Sequence, residues 1–210
     1  MNIVILHGLY MHGLAMLPLS QRLQDLGYDT KTVSYNSVAI NEQVVFSDIS
    51  SALSRHQPNV LVGHSLGGLI IKHYLESAKP STDTISHVVA IGSPLQGASI
   101  ATRIQKLGMG AILGNAPEFG LTQHEESVWR VPQKLGSIAG TLPVGARPLL
   151  MMDNSVASDG TVTLEETKID GMTDHIAKDY SHTSLIFSRF VTQQIDHFIR
   201  YDHFDHTAAR

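Results

Sequence analysis

Val60-Leu61-Val62-Gly63-His64-Ser65-Leu66-Gly67-Gly68 drives a short apolar run into a Gly-x-Ser-x-Gly turn, and beyond it Leu69, Ile70, Tyr74 and Ala78 recur at helical spacing before Pro80. This reads as a strand, a sharp turn and a helix. A serine hydroxyl is a weak nucleophile until a base takes its proton and backbone donors receive the oxyanion, and a strained strand-to-helix turn holds it clear of its neighbours. Positions two before and two after such a serine must lack bulk, because their Cα atoms approach each other. Gly63 and Gly67 meet that demand, and Ser65 is the candidate nucleophile. A plain glycine-rich turn capped by serine is the alternative, and the flanking strand and helix weigh against it.

Outward from this turn, apolar runs at Ile3 to Leu6, Val88 to Ile91 and Leu149 to Met152 read as strands buried on both faces, and Lys31 to Tyr35 fits another. Between them lie helical stripes: Leu19, Leu23 and Leu26, stopped by Gly27, and Val45, Ile49, Leu53 and His56, ended by Pro58. A last helix is predicted from about Ser184 to Arg200 with Phe187, Val191, Ile195 and Phe198 inward. Repeated strand-helix alternation over 210 residues, 42% hydrophobic and 16% charged, predicts a single α/β domain, 1–210. Its central sheet should be mostly parallel, with about six strands and helices on both faces. Residues 96–147 break the alternation, carrying Met109, Ile112, Leu113, Phe119 and Trp129 without a clean period. They are either a small cover over the active site or packing for the flank of the domain.

Composition removes several function classes. A net charge of -4 with dispersed acids and bases offers no basic face to nucleic acid. The lack of cysteine excludes disulfides, thiolate catalysis and cysteine-held metals. Met1 to Gly8 has no charged leader and is too short to span a membrane, so it reads as a strand, and the expectation is a cytoplasmic protein with no integral membrane segment. The tail Asp202-His203-Phe204-Asp205-His206, with His197, offers metal-ligand types but reads as a polar, partly frayed terminus. No metal or cofactor is expected.

In open parallel sheets ligands gather at the carboxyl ends of the strands, so partners for Ser65 belong in loops that follow strands. Asp159, in Ser158-Asp159-Gly160-Thr161-Val162, is the candidate acid, and His182, in Ser181-His182 before the last helix, the candidate base. Asp153, Asp174 and His175 compete for these roles. The oxyanion donors should be the N–H groups of Leu66, at the start of the helix, and Leu9, in the turn His7-Gly8-Leu9-Tyr10. Tyr10 and Leu95 stand near the presumed mouth and favour an uncharged acyl group.

With these residues placed, the sequence resembles the α/β-hydrolase superfamily, in its compact lipase and esterase branch. The resemblance rests on His7-Gly8, on Gly63 to Gly68, on Gly92-Ser93-Pro94-Leu95-Gln96-Gly97, which is similar to the Gly-Thr-Pro-x-x-Gly turn of lipases, and on the order serine, acid, histidine. It implies a minimal α/β-hydrolase fold and a serine hydrolase that cleaves small-molecule carboxylic esters through an acyl-enzyme, needing no cofactor. Acyl transfer, thioester cleavage and a non-catalytic binding role are the alternatives on the same fold. Nothing in the sequence sets an oligomeric state.

Overall fold

The computed structural model describes residues 1–122, 128–153 and 155–208. Strands β1 (Asn2–Leu6), β2 (Asp29–Val33), β3 (Asn59–His64), β4 (Ile85–Ile91), β5 (Lys134–Gly140) and β6 (Asp174–Lys178) form one sheet in the order β2-β1-β3-β4-β5-β6. Every neighbouring pair is parallel. Side chains alternate across β1, with Ile3 and Ile5 to one side and Val4 and Leu6 to the other, and both sets are fully buried. Helices α1 (Leu17–Asp25) and α6 (Arg189–Tyr201) cover the first side through Leu19, Leu23, Val191, Ile195 and Phe198. Helices α2 (Glu42–Ala52), α3 (Leu66–Ala78) and α4 (Ser99–Lys106) cover the second through Val45, Ile49, Ile70, Ile71, Ile100 and Ala101. Strands buried on both faces must be apolar throughout, which is why β1 and β3 stand out in the sequence.

Local chemistry sets the helix limits. Asn41 Oδ1 accepts the Val44 N–H at the start of α2, Ser188 Oγ accepts the Val191 N–H at the start of α6, and Gly27, at φ 91°, follows α1.

Several expectations are corrected. Leu149 to Met152 is not a strand: α5 (Ala146–Leu149) ends there, and Leu149 and Met151 are 82% and 90% exposed. The fifth strand is Lys134–Gly140, inside the stretch expected to be a cover, of which 123–127 lie outside the described residues. Its weak sequence signal has a packing cause. A Cβ at Gly136 would lie 2.6 Å from the Phe204 ring, and one at Gly140 would lie 2.3 Å from the Tyr180 carbonyl oxygen. The second strand is Asp29–Val33, shifted two residues from Lys31 to Tyr35. The last helix is interrupted: Ser184–Phe187 is a 3-10 turn, Ser188 is extended, and Phe187 is 48% exposed. The tail is docked as well, since Phe204 is fully buried against Phe198 with ring centroids 4.9 Å apart. Burying a side chain of that size contributes roughly 1.5–3 kcal/mol.

Between β3 and α3 the backbone crosses itself: a Cβ on Gly63 would lie 2.5 Å from the Gly67 carbonyl carbon, and one on Gly67 2.6 Å from the Leu6 carbonyl oxygen. Both obstacles are main chain. Gly63→Ala is therefore expected to cost at least about 3 kcal/mol, the upper range for overpacking, and to lower the urea midpoint without changing the m-value; a midpoint equal to wild type would contradict this packing.

Candidate active site

Ser65 follows β3 directly, at φ 53° and ψ −122°, with its N–H donating to the Ile91 carbonyl at 2.9 Å. A residue with a Cβ is held in that region only when its surroundings leave no other choice, and here the crossing of Gly63 and Gly67 does so. Leu66 opens α3, so its N–H is one of the first four that have no intrahelical acceptor. At the end of β1, Gly8 packs against the serine: a Cβ there would lie 2.9 Å from Ser65 Cβ. The Leu9 N–H, next in the chain, pairs with no protein acceptor among the described residues.

The loops after β5 and β6 bring Asp159 and His182 together. His182 Nδ1–H donates to Asp159 Oδ2 at 2.6 Å, and the His182 backbone N–H donates to the Asp159 carbonyl at 2.9 Å. Asp159 is fully buried, and its Oδ1 accepts the N–H groups of Thr161 at 2.9 Å and Val162 at 2.7 Å. Gly92, at φ 56° after β4, lets the pair sit close to the chain, since a Cβ there would lie 3.2 Å from both Asp159 Oδ2 and His182 Nδ1. The competitors lie elsewhere. Asp153 caps Ser155, Asp174 accepts the Phe204 N–H and contacts His206, and His175 Nε2 meets Thr167 Oγ1 at 2.9 Å.

Ser65 and His182 line one cavity of about 190 Å³, without a direct hydrogen bond between them among the described residues. Leu9, Tyr10, Ala98, Ala101, Ile104, Leu113 and Leu121 make most of the wall apolar. Within 98–121, Ala98, Ile100, Ala101, Leu113 and Leu121 thus line the cavity and pack into the core at once. The Tyr10 hydroxyl donates to the Ile112 carbonyl, tying the turn after β1 to the segment after α4. Leu95, expected near the mouth, closes a tight turn through its N–H onto the Ser93 carbonyl and buries its side chain in the core, and its neighbour Pro94 lines the cavity. A larger depression of about 730 Å³ lies at the amino ends of β1 and β2; Asp29, Ser54 and His56 are among its lining residues, but Asp29 accepts from Gln57 and Ser54 from the His56 backbone N–H, and no side-chain hydrogen bond joins the three among the described residues.

Sequence reasoning gave His64 no role beyond the motif. It is fully buried beside the base: its Nε2–H donates to the His182 carbonyl at 3.0 Å, and the two rings lie 4.7 Å apart. Its Nδ1 is buried without a partner among the described residues. Burial, reinforced by the neighbouring His182, lowers its pKa to about 3, so the ring is neutral. Among the described residues no cluster of histidine, aspartate and glutamate could hold a metal ion, and no helix is long and apolar enough to cross a membrane.

An all-parallel six-stranded sheet with a serine at a strained turn after its third strand defines an α/β hydrolase. Residues 25–197 match the family described as PGAP1-like alpha/beta domain, and the chain belongs to that family. Among solved structures it is similar to the mature lipase BlEst2 of Bacillus licheniformis, at 17% identity and a TM-score of 0.67 over 95% of this chain and 90% of that one. The metagenomic carboxyl esterase MGS0156 matches at 18% identity and 0.64, over 88% and 65% of the two chains. The methylesterase MES16 of Arabidopsis matches at 16% and 0.56, over 95% and 98%. No curated protein matches the sequence. At these identities the likeness is one of fold.

The His64 ring carries a stability signature. The unfolded chain takes up a proton near pH 6.5 that the folded ring refuses until about pH 3, so stability falls as pH drops through that window. Urea unfolding at pH 7 and pH 5 should show His64 contributing a loss of about 2 kcal/mol, seen as a smaller pH effect in His64→Gln than in wild type; equal effects would contradict a neutral buried ring.

Proposed function

We propose that this protein is a serine hydrolase of carboxylic esters, with Ser65 as nucleophile, His182 as base and Asp159 as its orienting acid. The observation that carries the reading is the Asp159–His182 hydrogen bond of 2.6 Å, which occupies Nδ1 and leaves Nε2 for the cavity shared with Ser65. Ser65 Oγ attacks the ester carbonyl while His182 Nε2 takes its proton, and the Asp159 carboxylate stabilises the imidazolium. The oxyanion accepts from the N–H groups of Leu9 and Leu66. Collapse of the intermediate breaks the ester C–O bond, and the departing alkoxide takes the proton from His182. Water, deprotonated by His182, then attacks the acyl-enzyme, releasing the carboxylic acid and returning the proton to Ser65.

The cavity supports an uncharged acyl group. An apolar cavity of about 150 Å³ in another protein takes benzene, so the 190 Å³ here suits a chain of roughly six to eight carbons. Ala98 and Ala101 leave that space open, residues 98–121 act as its cover within a single domain, and Tyr10 stands at its rim.

Hydrolysis of p-nitrophenyl acetate, hexanoate, octanoate and palmitate by wild type and Ser65→Ala tests the reading. Wild type should prefer hexanoate or octanoate, and Ser65→Ala should lose about 10⁵-fold or more in kcat. Equal rates in the two proteins would refute the assignment of Ser65. A dominant rate on palmitate would refute the assignment of the cavity.

A further inference from the structure

The mechanism above uses the Leu9 N–H but not the histidine two residues before it. His7 is fully buried, and its ring lies flat on Tyr35, with centroids 4.3 Å apart and planes 13° from parallel. The Tyr35 backbone N–H donates to His7 Nε2 at 3.2 Å, so that nitrogen holds its lone pair and the ring proton sits on Nδ1. Nδ1–H in turn donates to the Gly8 carbonyl at 2.9 Å, and the Met11 N–H donates to the same oxygen at 3.3 Å. That carbonyl belongs to the peptide plane that carries the Leu9 N–H. In a trans peptide the two point in opposite directions, so holding the oxygen against His7 and Met11 aims the N–H the other way. The preceding peptide is held too, because the Tyr35 hydroxyl donates to the His7 carbonyl at 2.6 Å.

We infer that His7 is a positioning residue: as its Nδ1–H tautomer it sets the rotation of the Gly8–Leu9 peptide and so keeps the Leu9 N–H trained on the oxyanion above Ser65. The inference rests on the ester-hydrolase reading and deepens it. A rotated plane would present the Gly8 carbonyl oxygen to the oxyanion, replacing attraction by repulsion. Burial holds the imidazole below its ordinary range, which keeps the ring in the neutral form this relay requires.

Two substitutions of like polarity separate this role from simple core packing. His7→Asn places an amide nitrogen near the position of Nδ1 and keeps the donor to Gly8, whereas His7→Gln places its amide near Nε2 and removes that donor. Each variant is titrated with an active-site phosphonate, so that kcat refers to folded, reactive protein, and kcat and KM are then measured on p-nitrophenyl hexanoate. The expected result is a kcat within about tenfold of wild type for His7→Asn and a fall on the order of 100-fold for His7→Gln, with KM little changed in both. Equal kcat values for the two variants overturn the inference. Should His7→Gln fail to fold, Tyr35→Phe, which removes only the hydroxyl bond to the His7 carbonyl, must lower kcat without raising KM; an unchanged kcat overturns the inference as well. Wild-type protein that the phosphonate leaves unlabelled at Ser65 overturns the hydrolase reading itself, whereas normal labelling with equal His7 variants overturns this inference alone.

Discussion

The crossing of the chain at Gly63 and Gly67 is the constraint from which the rest of the upper sheet edge follows. With only 2.5 Å between a Cβ placed on Gly63 and the carbonyl carbon of Gly67, strand and helix can meet only through a turn that drives Ser65 to φ 53°. A residue held there costs about 1–3 kcal/mol. The cost is borne by β3, buried along its whole length, and by the apolar face of α3. One contact therefore sets three things together: the exposure of the serine to the cavity, the start of α3 with a Leu66 N–H that has no intrahelical acceptor, and the seat of Gly8 against Ser65.

Around that fixed point the remaining polar groups are held from a distance. Asp159 and His182 come from loops after different strands, and the carboxylate is tied by two backbone N–H groups so that only Oδ2 is left for the imidazole. His64 is neutral and fully buried, and it holds the His182 carbonyl from beneath. On the other flank His7 and Tyr35 hold both carbonyls of the turn after β1. Buried polar groups of this kind are costly unless they are partnered, and among these only His64 Nδ1 is left without a partner among the described residues.

Much of this was legible in the chain. The continuous apolar runs of β1, β3 and β4 announced strands covered on both faces, and the elbow could be read because its demand for small residues falls on two positions of one short segment. The failures are equally physical. Lys134–Gly140 reads poorly as a strand because aromatic rings and a neighbouring carbonyl occupy the space where side chains would stand at Gly136 and Gly140. Leu149 to Met152 reads well as one, yet Leu149 ends α5, Met151 lies just beyond it, and both face solvent. The final helix is shorter than its apolar stripe because Ser188, a capping residue, lies inside that stripe.

By itself the sequence determined the α/β alternation, the place of the nucleophile turn and the order of the candidate residues, since these depend on periodicity and on steric demands between near neighbours. Only the tertiary structure decided that Asp159 rather than Asp153 or Asp174 meets His182, that Leu95 turns into the core while Pro94 lines the cavity, and that His7 and His64 brace the residues beside them. Each of those outcomes is a contact between segments distant in the chain, or a direction taken by a side chain within a turn, and neither is encoded in the spacing of residue types.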